Sequence, residues 1–563
     1  MKLSLKTLLL LVIVAAVFAS CKKSVPKQAK FIPKDATYVI SLSPRNLAEK
    51  LAKSNFKLDS VLAFPTEGLN DSSLSKFKNM ATDIKDAGID FKEDLYAFVK
   101  TGGSMMGGQT VSFALIGITA DASKFEAFVK KHAPQATIKK DAKYSYAALG
   151  DDFVAGWNSD VIIISAVTGG KDSPGTYSTG EGTLSQLQLT KLYELKEAES
   201  VAAIAEYREL AKEKADATMW SNYSSVIETV PMIGMTKAAD LLKEYYQAST
   251  FNFEDGKIVG AGKAYNSKAL EEILKKHENK TVDMDMVTKY PSNAIDGFMA
   301  FSFDMGILAD ILKFSGFEGQ ANQFLGQLGI TAEDITKAIK GDFAVIVSDF
   351  SVVEKENPYY PAAKSKEPEV KVIFNTKVGD KASFEKVMNA FAGKGMVEKT
   401  GNGYALKGVP PGVALSIDDK NIIYSTDSTL LQQYKAGSGK ATLPDDVKSG
   451  SGKYMNMYFD IARILQGVPV DSAMGEDGKA VLDKAKATFK DVKATSEHVS
   501  DKVSASLVEI RMVDEKKNSL AALAEFFTEV AKVAKKHMKT DGIEPPVIVP
   551  DSSLVPPPPP AAE

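Results

Sequence analysis

Any chemistry in this chain must come from few residues: 563 positions hold one Cys, four His and 72 carboxylates. A single Cys, Cys21, excludes a disulfide framework, a Cys-rich zinc site and a CxxC redox pair. Ser104 lies in the run Gly102-Gly-Ser-Met-Met-Gly-Gly108, but a nucleophile elbow needs Gly two places on, where Met106 stands. With no His placed to activate it, Ser104 reads as a loop serine. Gly169-Gly170-Lys171 follows an apolar strand, as a phosphate loop would. Asp172 then takes the Ser/Thr place, and the upstream Gly spacing is missing. His132, His277, His498 and His537 form no HxH, HxxxH or HExxH pair, so neither a metal nor another cofactor is expected. Asp151-Asp152, Asp283 with Asp285, Asp418-Asp419 and Asp445-Asp446 look like turn formers that cap backbone amides. An enzyme using dispersed carboxylates, such as a glycosidase pair drawn from distant segments, stays open. Trp157 and Trp220 are the only tryptophans available as sugar platforms.

Cys21 has a more specific reading. Lys2 and Lys6 precede a twelve-residue apolar run, Leu8 to Ala19, which is signal-peptide length and short of the roughly 20 residues a span needs. The run ends Phe18-Ala19-Ser20-Cys21, so residues 1–20 resemble a lipoprotein signal peptide with Cys21 as the lipidated residue. Phe18 departs from the usual Leu, Val or Ile. Removing residues 1–20 takes away Lys2 and Lys6 and no acid, so the remainder carries a net charge of −5 against −3 for the whole. Nothing in that balance points to nucleic acid. Residues 21–30 read as the lipidated Cys and a basic tether with a reach of roughly 30 Å, whose Lys22, Lys23, Lys27 and Lys30 could meet anionic head groups. Acidic residues directing surface export are missing, which favours the outer membrane facing the periplasm.

The elements that would position any site come in pairs. Pro33-Lys-Asp-Ala36 with the strand YVISLS is echoed by Pro291-Ser-Asn-Ala294 with FMAFS. Val111 opens VSFALIGITADASKFEAFV, and Val370 opens VKVIFNTKVGDKASFEKVM, with Phe125 aligned to Phe384. Order is preserved at offsets near 240–261, so two homologous halves are expected: 31–278 and 291–540, with 279–290 as a linker. The class is α+β, each half a mostly antiparallel sheet with helices packed on it. Phe384, Val387, Met388 and Phe391 fall at i, i+3, i+4, i+7, one buried helical stripe. Two hairpin tips differ between the halves and are the possible interaction loops. One carries Ser104, Met105 and Met106. The other is the long connection 349–369, with Tyr359 and Tyr360. Residues 541–563 form a Pro-rich tail, expected to be disordered.

The signal ending CKK, Ile32-Pro-Lys-Asp-Ala36 leading into a strand, and the Asn46-Leu helix together resemble a Bacteroidetes lipoprotein family of unknown function, DUF4836. That resemblance implies an envelope lipoprotein and carries no catalytic residue. The expectation is a non-catalytic, lipid-anchored envelope scaffold that binds a protein partner or envelope component. A carrier of a small apolar or peptide ligand is the alternative, motivated by 18 Met and 28 Phe.

Overall fold

A computed structural model describes residues 25–53, 83–104, 108–149, 153–169, 183–225, 227, 230–234, 236–292, 294–357, 360–401, 403–410, 412–437, 439–470 and 475–541. The first ten strands are β1 Tyr38–Leu42, β2 Leu95–Ser104, β3 Gly108–Ile118, β4 Lys139–Lys140, β5 Ser145–Ala148, β6 Phe153–Trp157, β7 Val161–Gly169, β8 Ala217–Asn222, β9 Tyr246–Glu254 and β10 Lys257–Tyr265. The next ten are β11 Gly297–Ser302, β12 Ile339–Asn357, β13 Tyr360–Val378, β14 Val397–Thr400, β15 Gly403–Leu406, β16 Ala414–Asp418, β17 Asn421–Ser425, β18 Lys453–Phe459, β19 Phe489–His498 and β20 Val503–Met512.

All twenty pair antiparallel into one open sheet of an α+β protein. Its spatial order is β4-β5-β6-β7-β3-β2-β1-β8-β9-β10-β20-β19-β18-β11-β12-β13-β17-β16-β15-β14. Read from either end, the order is the same once the second ten strands are numbered from one. The centre is the pair β10·β20, nine residues long, from Lys257↔Arg511 to Tyr265↔Val503. Short turns force the antiparallel pairing. The β9–β10 turn needs Gly256, which has φ +70° and would set a Cβ 2.6 Å from the Glu515 backbone. The two margins of the sheet are blunt: β4 is Lys139-Lys140 alone, and β14 reads Val-Glu-Lys-Thr with three exposed residues.

Helices bury one face. Leu189, Leu192 and Tyr193 from the helix Thr183–Glu194, with Tyr207 and Leu210, close over Val39, Phe98, Ala114, Ile116 and Trp220. Beneath β11–β13, Leu430, Leu431 and Tyr434 of the helix Ser428–Lys435 pack on Phe298, Ile346 and Ile373. At the sheet's outer ends, the helices Ala122–His132 and Lys381–Gly393 cover the opposite face, through Phe125 and Val129 and through Phe384, Val387 and Met388. Asp121 and Asp380 cap their first turns.

Three segments depart from the expectations. The linker 279–290 is core instead: it forms a turn of helix, Asp285–Thr288, and buries Val282, Met286, Val287 and Tyr290. Its apolar residues are spaced irregularly along one turn, which hid them. The tether is docked from Val25 onward. Lys27–Phe31 is a 3-10 helix, Ala29 and Ile32 are fully buried, and Gln28 Nε2 donates to the Asp94 carbonyl at 2.8 Å. Lys27 and Lys30 pair with Asp160 and Glu197, at 3.8 and 2.9 Å, instead of standing free. The connection 349–369 is a two-stranded ribbon, with Ser351↔Glu369 through Asn357↔Tyr360 continuing the β12·β13 hairpin. Its cross-strand pair Glu354↔Lys366 supplies opposite charges that local composition alone did not rank as strand.

Phe298 is 1% exposed at the centre of the second core. Phe298→Ala is expected to lower the unfolding free energy by about 3–5 kcal/mol in urea titrations.

Candidate functional site

The residues singled out from sequence do not converge. Ser104 ends β2 with its backbone paired to Gly108, its side chain lying outside the described residues along with Met105, Met106, Tyr359 and Cys21. Tyr360 opens β13 opposite Asn357, and its side chain too is outside them. Gly170, Lys171, Asp151, Asp152 and the His537 side chain are likewise outside. Trp157 and Trp220 are 2% and 0% exposed, so neither can stack on a sugar. The remaining acidic pairs hold structure. Asp283 pairs with Lys377, Asp419 with Lys381 at 2.8 Å, Asp445 with Lys448 at 2.7 Å, and Asp418 accepts from the amides of Lys420 and Asn421.

The histidines are also placed structurally. His132 lies 2.9 Å from Asp83 and against the Phe128 ring. His277 lies past the end of its helix, Lys268–Leu274, with Nδ1 3.3 Å from Asp304 and Nε2 3.3 Å from Asp310, tying this segment to the helix Gly306–Ser315. Burial pushes the His498 imidazole down, and its ring lies tilted against Tyr454 with centroids 4.4 Å apart. Among the described residues, no group of three His, Cys, Asp or Glu side chains could hold a metal, and no helix is long and apolar enough to cross a membrane.

Two surface features remain. The first is a charged cluster on the helical side of β10·β20. Lys257 and Lys493 both reach the Glu509 carboxylate, at 2.6 and 2.5 Å. Lys493 continues to Asp446 at 2.7 Å, and Arg511 spans Asp446 and Asp491, the latter through two parallel bonds. Burial pushes the Glu509 carboxyl up, but the two ammonium groups outweigh it and hold the group below its ordinary value. Clefts of about 520 and 450 Å³ flank this region, the first rimmed by the Lys502–Glu206 pair.

The second feature is the sheet face turned away from that cluster. Direct cross-strand partners share a face, so the register traces one row: Leu95, Leu42, Ala217, Phe251, Gly260, Val508, Ala494, Met457, Met299, Val345, Phe374, Tyr424, Leu415. It crosses from β2 to β16 without a charged side chain, at about 4.8 Å per strand. Ile40, Leu42 and Tyr38 on this face are 42%, 44% and 39% exposed, and Phe251, Val508 and Val111 are exposed as well. Gly260 interrupts the row: a Cβ there would meet Phe251 at 3.5 Å and Val508 at 3.9 Å, so its absence leaves a trough. Farther along, Phe301 stacks on Phe343 at 4.8 Å. Sequence reasoning missed this face, although β1, β11 and β18 are apolar on both faces, a pattern that half-solvated antiparallel strands normally lack.

A large single-sheet α+β protein whose second face is helix-covered at its ends and apolar and partly exposed in its middle is thus the class defined by the fold. The family model for the domain of unknown function DUF4836 matches residues 29–314, just over half the chain, and the chain belongs to that family. No curated protein matches the sequence significantly. Crystal forms I, III and IV of TP0453 align at 8, 6 and 8% identity, over 43, 46 and 46% of this chain and 80, 89 and 89% of theirs. Their TM-scores are 0.25, 0.25 and 0.24, which establish no shared fold.

Glu509 adds stability above its ordinary value of 4.5 and loses that contribution as pH falls through its lower folded value. Glu509→Gln is expected to cost about 2 kcal/mol at pH 7. It should also flatten the loss of stability below pH 4.5, both read by denaturant unfolding across pH.

Proposed function

We propose that this protein is a non-catalytic, lipid-anchored envelope scaffold, built from a duplicated α+β unit, whose open sheet face docks a protein or envelope component. The observation carrying this reading is the uncharged middle of this sheet face, exposed at Leu42, Phe251 and Val508 in the traced row and at Ile40 and Tyr38 beside it. Contiguous apolar surface left in water normally marks an interaction site. The end-to-end symmetry of strand order supports the duplication, and the sequence around Cys21 supports the anchor. Placement at the outer membrane facing the periplasm belongs to the same proposal.

A second reading has its own support. Met299, Met455, Met457, Phe301, Phe343 and Phe374 gather on the second part of the face, where flexible thioethers and stacked rings suit a small apolar ligand. Native mass spectrometry of protein purified without detergent separates the two, because only a carrier retains a bound apolar molecule.

A photo-crosslinker placed at Ile40 in the native cell is expected to give a discrete adduct, and one at Lys140 on the sheet margin none. Adding Leu42→Glu should abolish the Ile40 adduct while leaving stability within about 0.5 kcal/mol, since the side chain is exposed. Equal labelling at both positions would defeat the docking assignment.

A further inference from the structure

We infer that the docked N-terminus holds one particular surface, the β6–β7 turn and the segment around Glu197, against phospholipid head groups and prevents the open apolar face from lying on the bilayer. This rests on the anchored reading proposed above and adds an orientation to it. Val25 packs on the first core, and every residue from Lys27 to Ala36 is tied to the body. Val201 N donates to the Ile32 carbonyl at 2.9 Å, Lys34 N to Glu199 O at 2.8 Å, and the Phe31 ring meets Tyr193 edge-on at 6.0 Å. Cys21 is four residues from Val25, a reach of about 14 Å when fully extended.

That leash starts on the helical side of the sheet. Ala29 and Ile32 share a core with Val39, Phe98 and Ile116, which alternate with, and point opposite to, Ile40, Ala97 and Leu115. Packed layers lie about 10 Å apart, so crossing the sheet to lay the apolar face on a membrane would consume the leash before any detour around the edge. The surface beside the leash suits head groups without insertion: Lys27 with Asp160 and Lys30 with Glu197 are exposed, nearly neutral ion pairs. Whatever docks on the open face therefore arrives from water, not from the lipid phase.

Because Cys21 is the only native cysteine, acylation leaves a chain in which one introduced cysteine can be labelled alone. The full-length processed protein, carrying a fluorophore at Ser159→Cys or Ile40→Cys, is reconstituted in phosphatidylethanolamine–phosphatidylglycerol vesicles with a head-group nitroxide. Quenching is expected to be several-fold stronger at position 159 than at 40, and a Gly-Ser spacer inserted between Ser24 and Val25 should erase that difference. Vesicle flotation with equal quenching, or stronger quenching at 40, overturns the orientation while leaving the anchor intact. A free Cys21 thiol and no flotation removes the anchor, and this inference with it.

Discussion

Nine residue pairs between β10 and β20 make one sheet out of two ten-stranded blocks. Among the described residues every other strand pairs only within its own block, so the continuity of the open face depends on this pairing. Its register sets Gly260 opposite Val508, which brings the apolar rows of the two blocks into one line. A slip of one residue would turn one block's apolar face toward the other's helices. Two neighbouring contacts fix the register from outside the ladder. Gly256 N donates to Lys517 O at 2.8 Å, and Asn266 Nδ2 donates to Asp501 O at 2.9 Å, one at each end of β10.

The seam separates its two duties by face. On the helical side, Glu509 gathers Lys257 from one block and Lys493 from the other, so the pairing carries charge complementarity where partial burial strengthens it. On the open side, β10 presents Ile258, Gly260, Gly262 and Ala264, which keep the surface low and uncharged. Specific association on one side and a smooth uncharged surface on the other are compatible because strand residues alternate.

Much of the architecture was legible in sequence. The α+β class with antiparallel pairing is as the short turns between strands demand, and the stripe Phe384, Val387, Met388 is buried as its spacing demands. What failed to show was long-range. Nothing in KIVGAGKAY names β20 as its partner, since cross-strand pairing is decided by packing and register across hundreds of residues. The open face was hidden for a related reason: apolar residues on both sides of a strand read as full burial, and only the sheet shows which side lacks a cover. The linker misreading had a local cause. Val282, Met286 and Val287 sit among Asp and Lys in too short a stretch for periodicity to emerge.

The order of synthesis makes the central pairing vulnerable before it makes it useful. β10 is complete at Tyr265, but β20 does not begin until Val503, about 240 residues later, an interval on the order of 10–50 s at ordinary elongation rates. Through that interval the growing chain carries a bare strand edge whose centre is Ile-Val-Gly-Ala-Gly, without the charges that guard β4 and β14. A nascent chain of this kind invites pairing with its neighbours. Shielding of that edge is therefore a requirement set by topology, and it ends when the last strand arrives.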